Sequence, residues 1–149
     1  MLFGACLSFA GCAVPESDLS LPEADPAGFE FTVYPILLAD CGFPACHGNP
    51  DRFFAVYGPG RTRLSPETGP YDPATAEEIA LSYTRARSML LAEDGPSAAL
   101  LLRKPLAVEA GGAGHAGDDP WGGPIFRTKR DPRYQALFYW AVGSTAGEP

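Results

Sequence analysis

Two thiols and an imidazole stand within seven residues in Cys41-Gly42-Phe43-Pro44-Ala45-Cys46-His47, the only place where reactive side chains converge at short range in the sequence. Two cysteines followed at once by a histidine is the chemistry of covalent haem attachment. The thiols add to the vinyl groups at the porphyrin edge, and the adjacent imidazole swings under the ring to bind iron. The usual spacing puts two residues between the cysteines; here there are four. No general base or nucleophile pair stands out elsewhere, so the residues point to a carrier or a redox subunit rather than an enzyme in its own right.

A second axial ligand has two candidates. Met89 is the one methionine besides the initiator, and His115 is the second of two histidines. His115 stands in Gly111-Gly112-Ala113-Gly114-His115-Ala116-Gly117, where glycines permit positive φ and close backbone approach, so a loop presents it against something flat. Methionine raises the potential relative to histidine. Met89 falls inside a well-patterned helix. Arg61 and Arg63 could pair with haem propionates.

The elements that must position these groups are short helices. A first helix is predicted from Thr32 or Val33 to about Asp40, with Pro35 in its first turn, where a missing N–H costs nothing. Val33, Ile36 and Leu37 share its apolar face, and Gly42 suits its end. Residues 48–73 read mostly as loop, and Phe53, Phe54, Val56 and Tyr57 are placed to wall a flat apolar cofactor. Thr75-Ala76-Glu77-Glu78 is a capping box opening the best helix, whose stripe is Ile79, Tyr83, Ala86 and Leu90. A shorter helix follows from Ser97 to about Arg103, with Ser97 as cap and Ala98, Leu101 and Leu102 inward. The last helix runs from Asp131, with Pro132 at its first position, to Val142, and Gly143 ends it. Its face is Tyr134, Leu137, Phe138 and Ala141.

The chain's 149 residues suit one domain with a single core. Seventeen Gly and sixteen Pro break it often, so short helices and long ordered loops are expected rather than a broad sheet. A net charge of −7 gives no footprint for nucleic acid, which calls for a basic face. The one small basic group, Arg127, Lys129, Arg130 and Arg133, reads as a solvated loop and helix start.

Residues 1–15 carry no charge, and Phe9-Ala10-Gly11-Cys12 resembles a bacterial lipobox, with small residues before a cysteine that would become lipidated. Residues 1–12 then form a signal segment, residues 13–30 a flexible acidic linker, residues 31–143 the domain and residues 144–149 a frayed tail. On this reading the protein is exported, as a periplasmic or outer-membrane-anchored lipoprotein held to the membrane through Cys12. The mature chain keeps Cys41 and Cys46, in a compartment where thiols are oxidised, metal-bound or linked to a cofactor.

Ile36-Leu37-Leu38-Ala39-Asp40 before the motif resembles the haem-binding domains of exported bacterial cytochrome-like lipoproteins. So does Leu100-Leu101-Leu102-Arg103-Lys104-Pro105-Leu106 leading into the glycine-rich stretch at 111–115. Over about residues 31–142 the arrangement resembles a small c-type cytochrome domain. The resemblance implies a mainly α, cytochrome-c-like fold with long ordered loops, and one haem c that transfers electrons to a redox partner protein. By it, Cys41 and Cys46 carry the thioethers and His47 is the proximal iron ligand. The resemblance also implies a distal ligand from a loop, which favours His115 over Met89.

Two other readings fit the same residues. Cys41 and Cys46 could close a small disulfide loop in an exported structural or interaction lipoprotein, a stabilisation of about 2–3 kcal/mol. Alternatively Cys41, Cys46, His47 and His115 form a Cys2His2 zinc set. Adjacent Cys46 and His47 are awkward tetrahedral partners, because neighbouring side chains diverge. For haem the adjacency is natural: one goes to the ring edge and the other to the iron.

Overall fold

The computed structural model describes residues 23–115 and 123–143. The lipobox with Cys12, the first part of the linker, Trp121 and the tail lie outside the described residues.

Asp25 caps the first helical stretch: its carboxylate accepts from the N–H groups of Ala27 and Gly28, at 3.1 and 2.7 Å. Helix α1 (Pro26–Gly28) passes into a π-helical turn, Phe29–Val33, and then into α2 (Tyr34–Asp40). The wider π turn changes the phase of the buried face. Phe29, Val33, Tyr34, Leu37 and Cys41 all end inside.

This stretch corrects the expected linker boundary. Residues 23–30 are part of the domain: Ala24 and Phe29 are buried, and two aromatic side chains hold the backbone beside them. The Tyr83 hydroxyl donates to the Ala24 carbonyl at 2.7 Å, and Trp140 Nε1–H donates to the Asp25 carbonyl at 2.8 Å. The acidic, Pro-containing composition that suggested a tether serves a helix cap and a first-turn proline instead.

Helix α3 (Ala76–Ser88) starts at the capping box expected from the sequence, with Thr75 and Glu78 bonding reciprocally. Its fully buried residues include Glu78, Ser82, Ala86 and, just beyond its end, Leu90, while Ile79 and Tyr83 pack at the edge of the core. The buried carboxylate is possible because Arg63 meets Glu78 through two hydrogen bonds, at 2.9 and 2.8 Å. The Leu64 N–H donates to the same carboxylate at 3.0 Å.

The predicted helix from Ser97 is broken in two. A 3-10 turn, Pro96–Ala98, is followed by extended backbone at Ala99 and by the single turn α4 (Leu100–Arg103). Leu101 and Leu102 are buried as expected, together with Ala99. Helix α5 (Pro132–Ala141) carries Asp131 as its cap and buries Tyr134, Leu137, Trp140 and Ala141. Among the described residues no strand forms; Leu106 and Phe126 make one isolated parallel bridge. The fold is mainly α, and no helix among the described residues is long and apolar enough to cross a membrane.

The core is aromatic at the α1–α5 end. Phe29 sits 5.4 Å from both the Tyr83 and the Trp140 rings, a tight cluster of edge and tilted contacts. Its other end is a cavity.

Candidate functional site

Helix α2 ends at Cys41, whose N–H donates to the Leu37 carbonyl at 2.9 Å. The chain then loops through Gly42–Ala45 and folds back, so that the His47 N–H donates to the Cys41 carbonyl at 3.0 Å. Within the loop the Phe43 carbonyl accepts from Cys46 and Gly48, at 2.8 and 2.9 Å. A Cβ at Gly48 would collide with the Gly42 carbonyl oxygen. The four-residue spacing is therefore taken up by a compact, internally bonded loop. Both cysteines remain on one wall of the cavity.

That cavity holds about 450 Å³, within the roughly 300–1,000 Å³ usual for sites that enclose small ligands and cofactors. Its walls are largely apolar, with Leu37, Phe54, Leu101, Ile125 and Leu137 among them. Cys41, Cys46, His47, Met89 and His115, scattered over 75 positions of sequence from first to last, all line it. Both cysteines are free thiols. Cys41 is buried, and burial, with smaller contributions from Asp40 and Cys46, pushes its pKa up to about 12.

The His47 ring is fixed. Its Nδ1 lies 2.8 Å from the Phe54 carbonyl oxygen. A carbonyl only accepts, so the neutral ring carries its proton on Nδ1 and leaves the Nε2 lone pair for a metal. Such a hydrogen bond is the usual second contact of a metal-binding histidine and sets both tautomer and orientation. Burial is the largest cause holding the His47 pKa below its ordinary value, opposed by the Phe54 carbonyl. The Phe54 ring packs beside the imidazole at 4.6 Å.

His115 comes to the same place from the far side. Its loop is tied down by the Gly112 and Ala113 N–H groups, which donate to the carbonyls of Ala107 and Arg103 at 2.9 Å each. A side chain at Gly112 would strike the Leu106 carbonyl, so the close approach requires glycine there. The two imidazole centroids end 5.9 Å apart with planes inclined by 44°. Two imidazoles sharing one metal through bonds of about 2 Å hold their centroids roughly 6 Å apart. The centroid separation of the pair matches that distance. Met89, at the end of α3, lines the cavity as well. Among the described residues no three His, Cys, Asp or Glu side chains converge as a metal cluster.

The two arginines named from sequence lie elsewhere, which corrects their expected role. Arg63 is buried under Glu78 and also donates to the Asp72 and Pro73 carbonyls, at 2.8 and 3.1 Å. Arg61 closes the end of α2, donating to the carbonyls of Leu38 at 3.0 Å and Ala39 at 3.2 Å. Neither lines the cavity. The cations that do are Arg52 and Lys104. Sequence position carried one clue, since Arg52 follows His47 by five residues and Lys104 ends the Leu100–Leu102 run. Asp40 also lines the cavity and is paired with Arg133 at 2.9 Å. Burial, partly offset by Arg133, raises the Asp40 pKa. Phe53, expected in the wall, is exposed beneath Arg85, whereas Phe54 takes the wall position.

No known protein family, curated protein or solved structure matches this chain.

Proposed function

We propose that this chain is an electron-transfer protein carrying one c-type haem, attached through Cys41 and Cys46 and ligated by His47 and His115. One observation carries the reading: two imidazole rings stand 5.9 Å apart on the lining of an apolar cavity that two thiols also line. When bound, the iron supplies a one-electron couple whose potential its axial ligands and burial set.

Each residue then has a task. Cys41 and Cys46 would hold the group covalently, each supplying a thiol for one vinyl group at the porphyrin edge. His47 offers Nε2 because Phe54 holds the proton on Nδ1. His115 would supply a second imidazole for the iron from its glycine-rich loop. Leu37, Leu101, Ile125 and Leu137 would keep water from the bound group, which favours a stable couple over side reactions. The same reading makes the protein an exported lipoprotein anchored through Cys12, passing electrons to a protein partner.

The test is a pyridine haemochrome spectrum on protein made in a host with the haem c maturation machinery. A c-type α-band, with haem staining that survives denaturing electrophoresis, supports the proposal. A colourless protein without free thiols would overturn it in favour of a disulfide-closed structural or interaction lipoprotein.

A further inference from the structure

Arg127, Lys129, Arg130 and Arg133 stand within seven positions of a chain whose net charge is −7. Folding sets three of them, Arg127, Arg130 and Arg133, around one hollow of about 320 Å³. Lys129 lies against Gly111 instead, where an added Cβ would meet its Nζ at 3.7 Å. The segment is held at both ends. Before it, the Phe126 N–H donates to the Pro105 carbonyl, and the Phe126 carbonyl accepts from Ala107, each at 2.9 Å. After it, Asp131 caps α5. Between the two, the Asp131 N–H donates to the Thr128 carbonyl at 3.2 Å, and the Thr128 hydroxyl oxygen accepts from the Arg130 N–H at 3.2 Å. The cations are therefore presented from a closed turn between two anchored points.

The charges on the hollow do not cancel. Arg133 is answered by Asp131 and Asp40, at 2.8 and 2.9 Å. Arg127 and Arg130 are exposed, and among the described residues their guanidinium groups meet no hydrogen-bond acceptor or counter-ion. Each keeps five N–H donors in a planar fork that matches two oxygens of an oxyanion. The Thr128 hydroxyl also lines the hollow, and since it accepts from Arg130 it has its own proton left to donate. A planar carboxylate offers two oxygens to one fork, whereas a tetrahedral phosphoryl group offers oxygens to donors converging from several sides. We infer that Arg127, Arg130 and Thr128 form a binding site for a phosphoryl oxyanion, carried by free phosphate or by the headgroup of an anionic lipid. Arg133, by pairing with Asp131, keeps that carboxylate from repelling the guest. Pro124, Ile125 and Pro132 line the same hollow and offer apolar contact to whatever the phosphoryl group is attached to.

The experiment has two arms on the full-length chain, and neither depends on what fills the larger cavity. In the first, amide NMR follows a titration with sodium phosphate at constant ionic strength, with sodium chloride as the control. Phosphate should shift the amides of residues 127–133 saturably, and chloride should not. Arg127→Gln and Arg130→Gln should each weaken binding by about threefold or more, the size of one exposed charge-assisted contact, and the double variant should lose it. Arg103→Gln, which removes the same charge elsewhere on the surface, should bind as the wild type does. In the second arm, the chain is sedimented with phosphatidylcholine vesicles with and without phosphatidylglycerol. Saturable phosphate binding assigns the site to free phosphate. Cosedimentation that needs phosphatidylglycerol and is lost in the double variant assigns it to a lipid headgroup. Binding in neither arm, or equal weakening by Arg103→Gln and Arg127→Gln, would overturn the site and leave only a solvated basic turn.

Discussion

The guanidinium carbon of Arg61 lies 4.1 Å from the centroid of the Phe43 ring, while the same side chain donates to the last carbonyls of α2. Phe43 in turn supplies the carbonyl that accepts from Cys46 and Gly48. Arg61 thus joins the helix end to the loop that spaces the two cysteines. Replacing Arg61 with Ala should cost about 1–2 kcal/mol, the sum of a lost cap and a cation–π contact. Lysine should recover only part of this, because it cannot stack and donate in a planar fork. Urea unfolding measures the cost. In the haem-free protein, alkylation of Cys41 should be slow in the wild type, because the thiol is buried and its pKa is about 12, and should accelerate in Arg61→Ala. An unchanged alkylation rate would mean that the loop holds its shape without Arg61.

Glu78 ties α3 to the 61–73 loop and should dominate the acid sensitivity of the fold. The Arg63 guanidinium holds its carboxyl at about 2, well below the ordinary value. A depressed folded-state pKa stabilises above the unfolded value and is lost as pH falls through the folded one. Stability should therefore fall between about pH 4.5 and pH 2. In Glu78→Gln that decline should flatten. The variant should lose about 2–3 kcal/mol at pH 7, toward the low side for a broken buried pair because Arg63 keeps its carbonyl partners. Thermal melts across the pH range decide it.

Phe29 tests the corrected domain boundary. It is fully buried against Tyr83 and Trp140, at 5.4 Å from each. Phe29→Ala should cost about 3–5 kcal/mol in denaturant unfolding. Removing residues 1–30 should unfold the domain. A stable 31–149 fragment would restore the linker reading.

His115 and Met89 separate by their effect on the loaded protein. His115→Ala should convert a low-spin spectrum to a high-spin one, and Met89→Ala should leave the spectrum low-spin. The reverse pattern would assign the sixth position to Met89, which lines the same cavity.

Local signals were legible where the physics is local. The Thr75–Glu78 capping box and the Asp131–Pro132 start of α5 need only neighbouring residues, and both stand as read. The Ser97 helix was not legible in full: Ala99 is extended and buried, because core packing there outweighs helix propensity. Phe53 and Phe54 could not be told apart either, since which of two adjacent aromatics faces inward depends on what they pack against.

By itself, the sequence determined the reactive cluster at 41–47, the short-helix character and the glycine-rich presentation of His115. Those follow from spacing, capping and backbone freedom over a few residues. Only the tertiary structure decided which polar groups meet. Arg63 was drawn to Glu78, fifteen residues on, and Asp25 to Trp140, 115 residues on. His47 and His115 were brought to one cavity across 68 positions. Burial makes an unpaired charge or an unmatched carbonyl costly, so side chains are assigned by the partners folding supplies, and chain distance carries no record of them.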